Sequence, residues 1–337
     1  MSKTKFLLLY GYGWSGSGAI LDMAKEIHSI KVSDTYFFLL RDAGGLLDLE
    51  NNLLDNWDVF RSSCAIRNFL RLCKRSKLPM LSPFTAPGRG YRKAFGTSFD
   101  TYISEFIDII TDFNYYSYEH TLNMDKGFFD CFKSRLVHNF DKLGLKLPIP
   151  RQDLYYFSRP SRDVFFHASQ TLINKIYDIN NQSTDYLLID HHPLPVQCFE
   201  KANDYFGPNA KMIVVDRDPR DIYVDLVNNR MRIGSELYRF DSVEKYIDWH
   251  KKSRMIKPNN NLLQIRFEDA VLRYEETRQK IFDFLNLNSA EHKDKFQYFD
   301  PNVSKHNIGI WKNYKDGLSS DIFNKIYDEL KEYCYEG

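Results

Sequence analysis

Short apolar segments recur along the chain, each bounded by residues typical of turns. Five of them contain five or six residues rich in Leu, Ile, Val or Phe, without alternation of polar and apolar positions. This pattern is typical of strands buried on both faces of a parallel sheet. The five segments are Lys5–Tyr10, Thr35–Leu40, Asp185–Asp190, Lys211–Asp216 and Asn261–Ile265.

Segments with apolar residues three and four positions apart follow most of these strands. Residues 19–30 place Ile20, Met23 and Ile27 on one helical face, and Pro219 stands where another helix should begin. Residues 268–285 start with acidic residues and continue with apolar positions at helical spacing. This alternation predicts an α/β fold of three layers, with helices on both faces of a short parallel sheet and right-handed crossovers.

The segment from about residue 46 to residue 180 has a predominantly helical pattern. Its candidate helices are Trp57–Lys77, Ser98–Phe113, Asp125–Leu143 and Arg162–Ile179. Because no internal repeat or long linker separates it from the rest, we expect one domain over residues 1–337. Residues 46–180 would form a helical insertion within that domain, and such insertions commonly cover a substrate.

The composition excludes several classes of protein. Lys plus Arg (46) and Asp plus Glu (45) leave a net charge of +1, so no general attraction to nucleic acid or anionic lipid is expected. The five scattered cysteines lack the spacing of a zinc site or a disulfide framework, and no metal is predicted. No apolar run approaches the roughly 18–20 residues that span a bilayer, and the first apolar run is too short for a signal sequence. We therefore expect a cytoplasmic enzyme.

A glycine-rich turn, GYGWSGSG over residues 11–18, follows the first predicted strand and precedes a predicted helix. Glycine lets the backbone approach a ligand closely, and free N–H groups at the start of a helix bind anions. A Walker loop would have Lys followed by Ser or Thr where Ser17 and Gly18 stand, which weakens the interpretation as a kinase or ATPase. The turn also contains the GxGxxG spacing of dinucleotide-binding folds, but the segments downstream fit that class less well.

Three further segments place polar residues at the ends of predicted elements. Arg217 ends a predicted strand just before Pro219 opens a helix, where a guanidinium can bind a phosphate with two nitrogens. The alternative is a surface ion pair among the charged residues 217–221. Residues 305–313 read KHNIGIWKN and contain Lys305 and Lys312, and residues 265–269 read IRFED.

Together and in this order, these segments resemble the sulfotransferase family that depends on 3′-phosphoadenosine 5′-phosphosulfate (PAPS). Residues 13–18 (GWSGSG) are similar to the family's phosphosulfate loop, and residues 217–221 (RDPRD) to its 3′-phosphate motif. Residues 304–312 (SKHNIGIWK) and 266–270 (RFEDA) are similar to its two other motifs. The resemblance implies a P-loop-like sulfotransferase fold, PAPS as co-substrate and no metal. It assigns nucleotide binding to Trp14, Ser15, Gly16, Ser17, Gly18, Arg217, Lys305 and Lys312.

Two positions depart from the family's pattern. The phosphosulfate loop has Trp14 where the family has Lys or Arg, and Asp225 stands where the family has a Ser that contacts the 3′-phosphate. Neither residue supplies the missing donor, so another cation is needed. The candidates are Lys305, Lys312, Arg41, Arg89, Arg92 and Lys93. A protein that binds the nucleotide without catalysis and a P-loop nucleotide kinase or NTPase both remain open.

Sulfuryl transfer needs a base for the acceptor hydroxyl. His191 follows a predicted strand, resembles the His-x-Pro of the cytosolic branch of the family, and can exchange a proton near neutrality. His192 is an alternative. Asp42 stands near the position of the acid in glycan-acting branches, although a salt bridge with Arg41 would equally explain it. We rank His191 above Asp42.

The acceptor is open. The long insertion, rich in aromatic residues and bearing arginines, favours a saccharide or a lipid-linked saccharide, and hence a bacterial enzyme of a glycan-acting branch. The chain contains 22 Tyr and 26 Phe, and exposed aromatic residues would permit a homodimer. Neither nucleic acid nor integral association with a membrane is expected.

Overall fold

The computed structural model describes residues 4–33, 36–79, 88–117, 127–145, 153–191, 193–228, 242–292, 294–314 and 320–336. Its strands are β1 Lys5–Gly11, β2 Ile30–Val32, β3 Phe113–Ser117, β4 Asp153–Phe157, β5 Tyr186–Ile189, β6 Lys211–Asp216 and β7 Leu262–Arg266. Its helices are α1 Ser17–Lys25, α2 Leu46–Glu50, α3 Val59–Ser76, α4 Tyr91–Phe95, α5 Ser98–Ile110, α6 Phe128–Lys142, α7 Arg162–Ile176, α8 Ala202–Phe206, α9 Pro219–Asn228, α10 Val243–Ser253, α11 Phe267–Leu272, α12 Tyr274–Leu285, α13 Pro301–Ser304 and α14 Ser320–Leu330.

The chain divides into two compact units. The first combines residues 1–37 with 179–337, and the second comprises residues 38–178. In the first unit a five-stranded parallel sheet has the order β2-β5-β1-β6-β7. Because the strands are parallel, the segments that follow β5, β1 and β6 lie at one edge of the sheet, where ligands of α/β proteins commonly bind.

Both faces of this sheet are buried. On one face Leu7 and Leu9 of β1 pack in a cluster with Ile20 of α1. On the other, the ring of Phe6 meets the ring of Phe206 in α8 edge-on, with centroids 5.3 Å apart. Side chains of a strand alternate between its two faces, so helices cover both. The predicted α/β class with a parallel sheet is confirmed.

The second unit is mainly helical in its described residues. Its core contains fully buried aromatic side chains from α3, α5 and α7, namely Phe69, Phe99, Phe106 and Phe165. It also contains the antiparallel pair β3–β4, in which the rings of Phe113 and Phe157 stack with centroids 4.8 Å apart. The helical prediction for this region missed the pair, because the two strands (FNYYS and DLYYF) show no alternation of polar and apolar residues.

The predicted strand Thr35–Leu40 is wrong in position, since β2 is Ile30–Val32 and residues 36–40 form no strand. The carbonyl of Phe38 accepts a hydrogen bond from the N–H of Asp42 at 2.9 Å, and that of Leu39 from the N–H of Leu46 at 2.8 Å. These bonds make a local turn that leads into α2. The apolar side chains are nevertheless buried, so their hydrophobicity alone could not distinguish this turn from a strand.

Several helix boundaries were predictable and others were not. Helix α9 begins at Pro219 as expected, but the predicted helix 268–285 is two helices, α11 and α12, which meet at Arg273. The predicted helix Asp125–Leu143 begins outside the described residues. Within the described ranges, no helix combines the length and the apolar character that crossing a bilayer requires.

Candidate functional site

The glycine-rich loop connects β1 to α1 through a strained backbone. Gly16 has a φ of 83°, and a Cβ at this position would lie 2.4 Å from the ring of Phe267. Trp14 has a φ of 57°, a left-handed conformation that is costly for a residue with a side chain. Such strained residues are concentrated at binding and catalytic sites. The loop is therefore a candidate for function on its conformation as well as on its sequence.

Two hydroxyl groups converge over Gly11 at the start of the loop. A Cβ on Gly11 would lie 2.7 Å from Ser17 Oγ and 2.8 Å from Ser15 Oγ, so only glycine fits there. Ser15 is buried, and its Oγ accepts a hydrogen bond from the N–H of Tyr12 at 3.0 Å. Ser15 thus stabilises the loop, while Ser17 and the N–H groups at the start of α1 can contact an anion.

The start of α1 borders a cavity of about 730 Å³, within the usual size of small-molecule sites. The loop contributes Trp14, Gly16, Ser17 and Gly18. Phe267, Tyr298 and Phe299 add aromatic walls, and the charged residues of the lining are Asp22, Arg217, Asp225 and Asp300.

Arg217 joins three segments at this cavity. Its Nη1 donates to the carbonyl oxygen of Trp14 at 3.1 Å and to Oδ2 of Asp225 at 2.6 Å. Its Nη2 donates to the carbonyl oxygen of Asn307 at 2.5 Å. The residue is only 4% exposed, and its Nε is buried without a hydrogen-bond partner. The glycine-rich loop, α9 and the segment around residue 307 therefore meet at one guanidinium.

The carboxylate of Asp216, the last residue of β6, fixes the position of the Arg217 backbone. It accepts two hydrogen bonds of 2.9 Å from the guanidinium of Arg254 and one of 2.9 Å from the N–H of Arg217. The Arg254 guanidinium in turn lies 4.1 Å from the ring centroid of Tyr12 in the glycine-rich loop. The end of β6 and the loop after β1 are thus tied together by one buried ion pair.

The segment 305–313 is held by Asp221 of α9. The carboxylate accepts hydrogen bonds from the N–H of Gly309 at 2.7 Å and from the N–H of Trp311 at 3.2 Å. Burial raises the pKa of Asp221, while the neighbouring Arg217 and the two N–H groups lower it. Asp221 therefore has a structural role in positioning this segment.

The two lysines of this segment do not line the cavity of Arg217. Lys312 lines a second cavity, of about 360 Å³, together with Arg220 and Glu268. Lys305 is exposed and is not among the residues that line either of these two cavities. From this part of the chain, Ser304 and Asn307 line the first cavity. Nucleotide binding by Lys305 and Lys312 stays a prediction.

The aromatic wall of the cavity depends on a buried carboxylate that sequence reasoning did not connect with it. Oε1 of Glu26 accepts hydrogen bonds from the N–H groups of Tyr298, at 2.9 Å, and Phe299, at 2.8 Å. Oε2 of Glu26 lies 2.7 Å from Nε2 of His292. No motif marks these residues, because their proximity arises only when residues 292–299 pack against the end of α1.

His191 follows β5, the strand beside β1. Its Nδ1 lies 2.7 Å from Oδ2 of Asp190, and its ring stacks on Tyr36 with centroids 3.8 Å apart. The imidazole is half-exposed and its φ is 63°. Because Nδ1 is engaged by the carboxylate, Nε2 is the nitrogen that remains for another partner. His191 is not among the residues that line the cavity of Arg217, and a catalytic role for it stays a prediction. His192 lies outside the described residues.

Asp42 belongs to the second unit, and both of its carboxylate oxygens accept from Arg89. Nε and Nη2 of Arg89 lie 2.7–2.9 Å from these oxygens. The partner of Asp42 is therefore Arg89, and not Arg41 as the sequence suggested. Two-point pairing occupies the oxygens that a base would use. A catalytic role for Asp42 stays a prediction.

Comparison with known proteins adds relatives of one kind. Sulfotransferase 2A6 of Mus musculus is 24% identical over 175 residues, which are 40% of this chain and 61% of the relative. The 3-alpha-hydroxysteroid sulfotransferase of Cavia porcellus is 23% identical over 178 residues, 40% of this chain and 60% of the relative. The chain thus spans less than two thirds of the length of these relatives.

A solved structure and a family model complete the comparison. The sulfotransferase domain of the Synechococcus olefin synthase aligns with 98% of this chain and 96% of that domain, at 12% identity and a TM-score of 0.40. A model of the sulfotransferase family matches residues 140–291, a range that contains His191 and Arg217. Over this range, the chain is similar to the sulfotransferase family.

Proposed function

We propose that this chain transfers a sulfuryl group from PAPS to a hydroxyl group of an acceptor. The similarity to the sulfotransferase family over residues 140–291 supports a transferase, and the donor, the acceptor and the mechanism are our proposal. One observation carries it. The guanidinium of Arg217 donates at once to the carbonyls of Trp14 and Asn307, so that three segments with the family's motifs meet at one cavity.

The donor would be bound at the start of α1. The N–H groups of Ser17 and Gly18 and the hydroxyl of Ser17 would bind the phosphosulfate, since a helix start favours an anion. A Cβ on Gly18 would meet no atom within 4 Å, which fits a residue that borders open space. The aromatic walls of the cavity suit a purine base, and Trp14 would pack against the nucleotide or an acceptor ring.

The transfer step would use His191 as the base. Nε2 takes the proton of the acceptor hydroxyl while the hydroxyl oxygen forms a bond to sulfur. The bond between sulfur and the bridging oxygen breaks at the same time, and 3′-phosphoadenosine 5′-phosphate (PAP) leaves. Asp190 orients the imidazole and stabilises the charge that it gains, and the N–H groups of the loop stabilise the charge on the leaving phosphate. Asp42 is the alternative base.

We further propose a saccharide or lipid-linked saccharide as acceptor, in the cytoplasm of a bacterium. Exposed aromatic side chains in the second unit, which include Tyr116 and Phe113, are suitable for stacking on sugar rings. The exposed rings of Phe128, Phe129 and Phe132 would also permit a homodimer. None of the five cysteines, all of which lie in the described residues, forms a disulfide.

Calorimetric titration with PAP and with Mg-ATP tests the donor class. We expect PAP to bind and Mg-ATP not to bind. Incubation with radiolabelled PAPS and a panel of saccharides and lipid-linked saccharides then tests transfer. Binding of Mg-ATP without binding of PAP would reject the proposal in favour of an NTPase. Binding of PAP without transfer to any acceptor of the panel would indicate a nucleotide-binding protein.

A further inference from the structure

The positive charge of Arg217 is compensated by a carboxylate inside the protein. Nη1 of Arg217 and Oδ2 of Asp225 lie 2.6 Å apart, the length of a strong charge-assisted hydrogen bond. The side chain of Arg217 is 4% exposed and that of Asp225 is 24% exposed. Because water is largely excluded from the guanidinium, this pairing is screened little. An anion that approaches Arg217 therefore meets little net charge.

Another nitrogen of the same guanidinium has no hydrogen-bond partner. Nη1 donates to both Asp225 and Trp14, so its two protons are engaged. Nε is buried without a partner in a residue that lines the cavity. A phosphate bound there would share one guanidinium with the carboxylate of Asp225, at a distance where two negative charges repel each other.

The other charged residues of the lining do not relieve this repulsion. Asp22 pairs with Lys25 at 2.7 Å at the surface, and Asp300 accepts a hydrogen bond from the N–H of Asn302 at 2.8 Å. Among the described residues that line the cavity, three carry carboxylates and one carries a guanidinium. Among these described residues, Arg217 therefore carries the one positive charge at which a phosphate could bind, and Asp225 shares it.

We propose that Asp225 determines the nucleotide specificity of this cavity. By sharing Arg217 with the ligand, it removes most of the affinity that a second phosphate would supply. The site then binds an adenosine nucleotide with a 5′-phosphate alone nearly as well as it binds PAP, and adenosine 5′-phosphosulfate joins PAPS as a donor. The inference rests on the proposed function, since it concerns the same nucleotide in the same cavity.

Calorimetric titrations with PAP and with AMP, at one salt concentration, test this inference. We expect the wild-type affinities for the two nucleotides to agree within about three-fold. Asp225→Ser and Asp225→Asn should raise the affinity for PAP by about ten-fold or more, the equivalent of one pKa unit of interaction energy. Both variants should keep the affinity for AMP within about two-fold of the wild-type value. Asp22→Asn removes a charge from the same lining and should leave the ratio at its wild-type value.

The outcomes separate the inference from the function on which it rests. A wild-type preference for PAP of more than about ten-fold, or weaker PAP binding in both Asp225 variants, would overturn the inference and leave the sulfotransferase proposal standing. An equal gain for PAP and AMP would also overturn it. If neither nucleotide binds to any of the four proteins, both proposals fall. Asp225→Asn preserves the side-chain shape, and thermal unfolding would verify that each variant is folded.

Discussion

The N–H of Gly309 donates a 2.7 Å hydrogen bond to the carboxylate of Asp221. The donor lies in the segment 305–313, and the acceptor lies in the first turn of α9, four residues after Arg217. The two motifs therefore contact each other directly, before any ligand is considered. The carboxylate of the RDPRD sequence acts inside the protein, where it fixes the segment that supplies Asn307 to Arg217.

Replacing Asp221 by Ala should destabilise the fold. Two partly buried N–H groups, of Gly309 and Trp311, would lose their acceptor, at a cost of roughly 1 to 3 kcal/mol in the free energy of unfolding. Asp221→Asn retains one acceptor oxygen and should cost less. Urea denaturation measures both. Asp248→Ala removes an exposed ion pair with Lys252 and should change stability little. Equal effects of Asp221→Ala and Asp248→Ala would contradict the role of Asp221 in fixing the segment 305–313.

Glycines 16 and 18 should differ sharply in their response to alanine. At Gly16 the positive φ and the ring of Phe267 both exclude a Cβ, so Gly16→Ala should destabilise by roughly 2 kcal/mol or more. At Gly18 the space is open and φ is not positive. Gly18→Ala should be neutral or stabilising by up to about 1 kcal/mol, because glycine is unfavourable within a helix. Thermal unfolding of the pair measures the difference, and similar losses at both positions would show that the loop backbone is misassigned.

Removal of the imidazole of His191 should affect the chemical step alone. We expect His191→Ala to lower kcat by roughly 10²- to 10⁴-fold and to leave the affinity for PAP unchanged. Asp42→Ala should leave kcat close to the wild-type value, since Arg89 already occupies both carboxylate oxygens. Radiolabelled transfer and calorimetry on the same preparations provide the two readouts. The reverse order of effects would make Asp42 the base.

The stability of the protein should fall in mild acid because of His250. This side chain is fully buried in α10, and burial, with Arg254 and Arg266 nearby, lowers its pKa to about 2. An unfolded histidine binds a proton below about pH 6.5, which the folded one cannot do. The contribution of His250 to the free energy of unfolding is complete above about pH 6.5. It is lost as the pH falls below that value, by about 1.4 kcal/mol per pH unit.

The measurement is the free energy of unfolding in urea at pH 7 and pH 5. His250→Gln should reduce the difference between the two values by about 2 kcal/mol, whatever its stability at pH 7. His306→Gln changes an exposed histidine and should preserve the wild-type difference. An unchanged difference in His250→Gln would indicate that the buried imidazole already accepts a proton in the folded state.

Sequence reasoning succeeded where a local pattern decides the structure. Strand β6 coincides with the predicted Lys211–Asp216, and α9 begins at Pro219 as expected, because a buried strand followed by Asp-Pro leaves few local alternatives. The glycine-rich loop and Arg217 were placed together because they end neighbouring parallel strands. The segment 36–40 misled because its apolar residues are buried in a turn.

The remaining features of the site depend on partners that are distant in sequence. Pairing of Asp225 with Arg217 decides the charge of the cavity, and Glu26 decides where Tyr298 and Phe299 lie. Neither relation follows from spacing along the chain. Lys312 illustrates the same limit, since its motif suggested a ligand contact while its side chain lines another cavity. The residues of the motifs could be recognised in the sequence, but the direction of their side chains could not be predicted from it.

The hydrogen bond between Arg217 and Asn307 joins residues 90 positions apart. A ribosome adds these residues in about 5 to 20 s, and during this time the emerging chain already contains the glycine-rich loop, β6 and Arg217 without the carbonyl that fixes the guanidinium. A nucleotide stabilises a protein only when its binding site exists. Nucleotide in the cell would therefore not assist the early steps of folding during translation, and would secure the fold only after residues 307–311 have emerged.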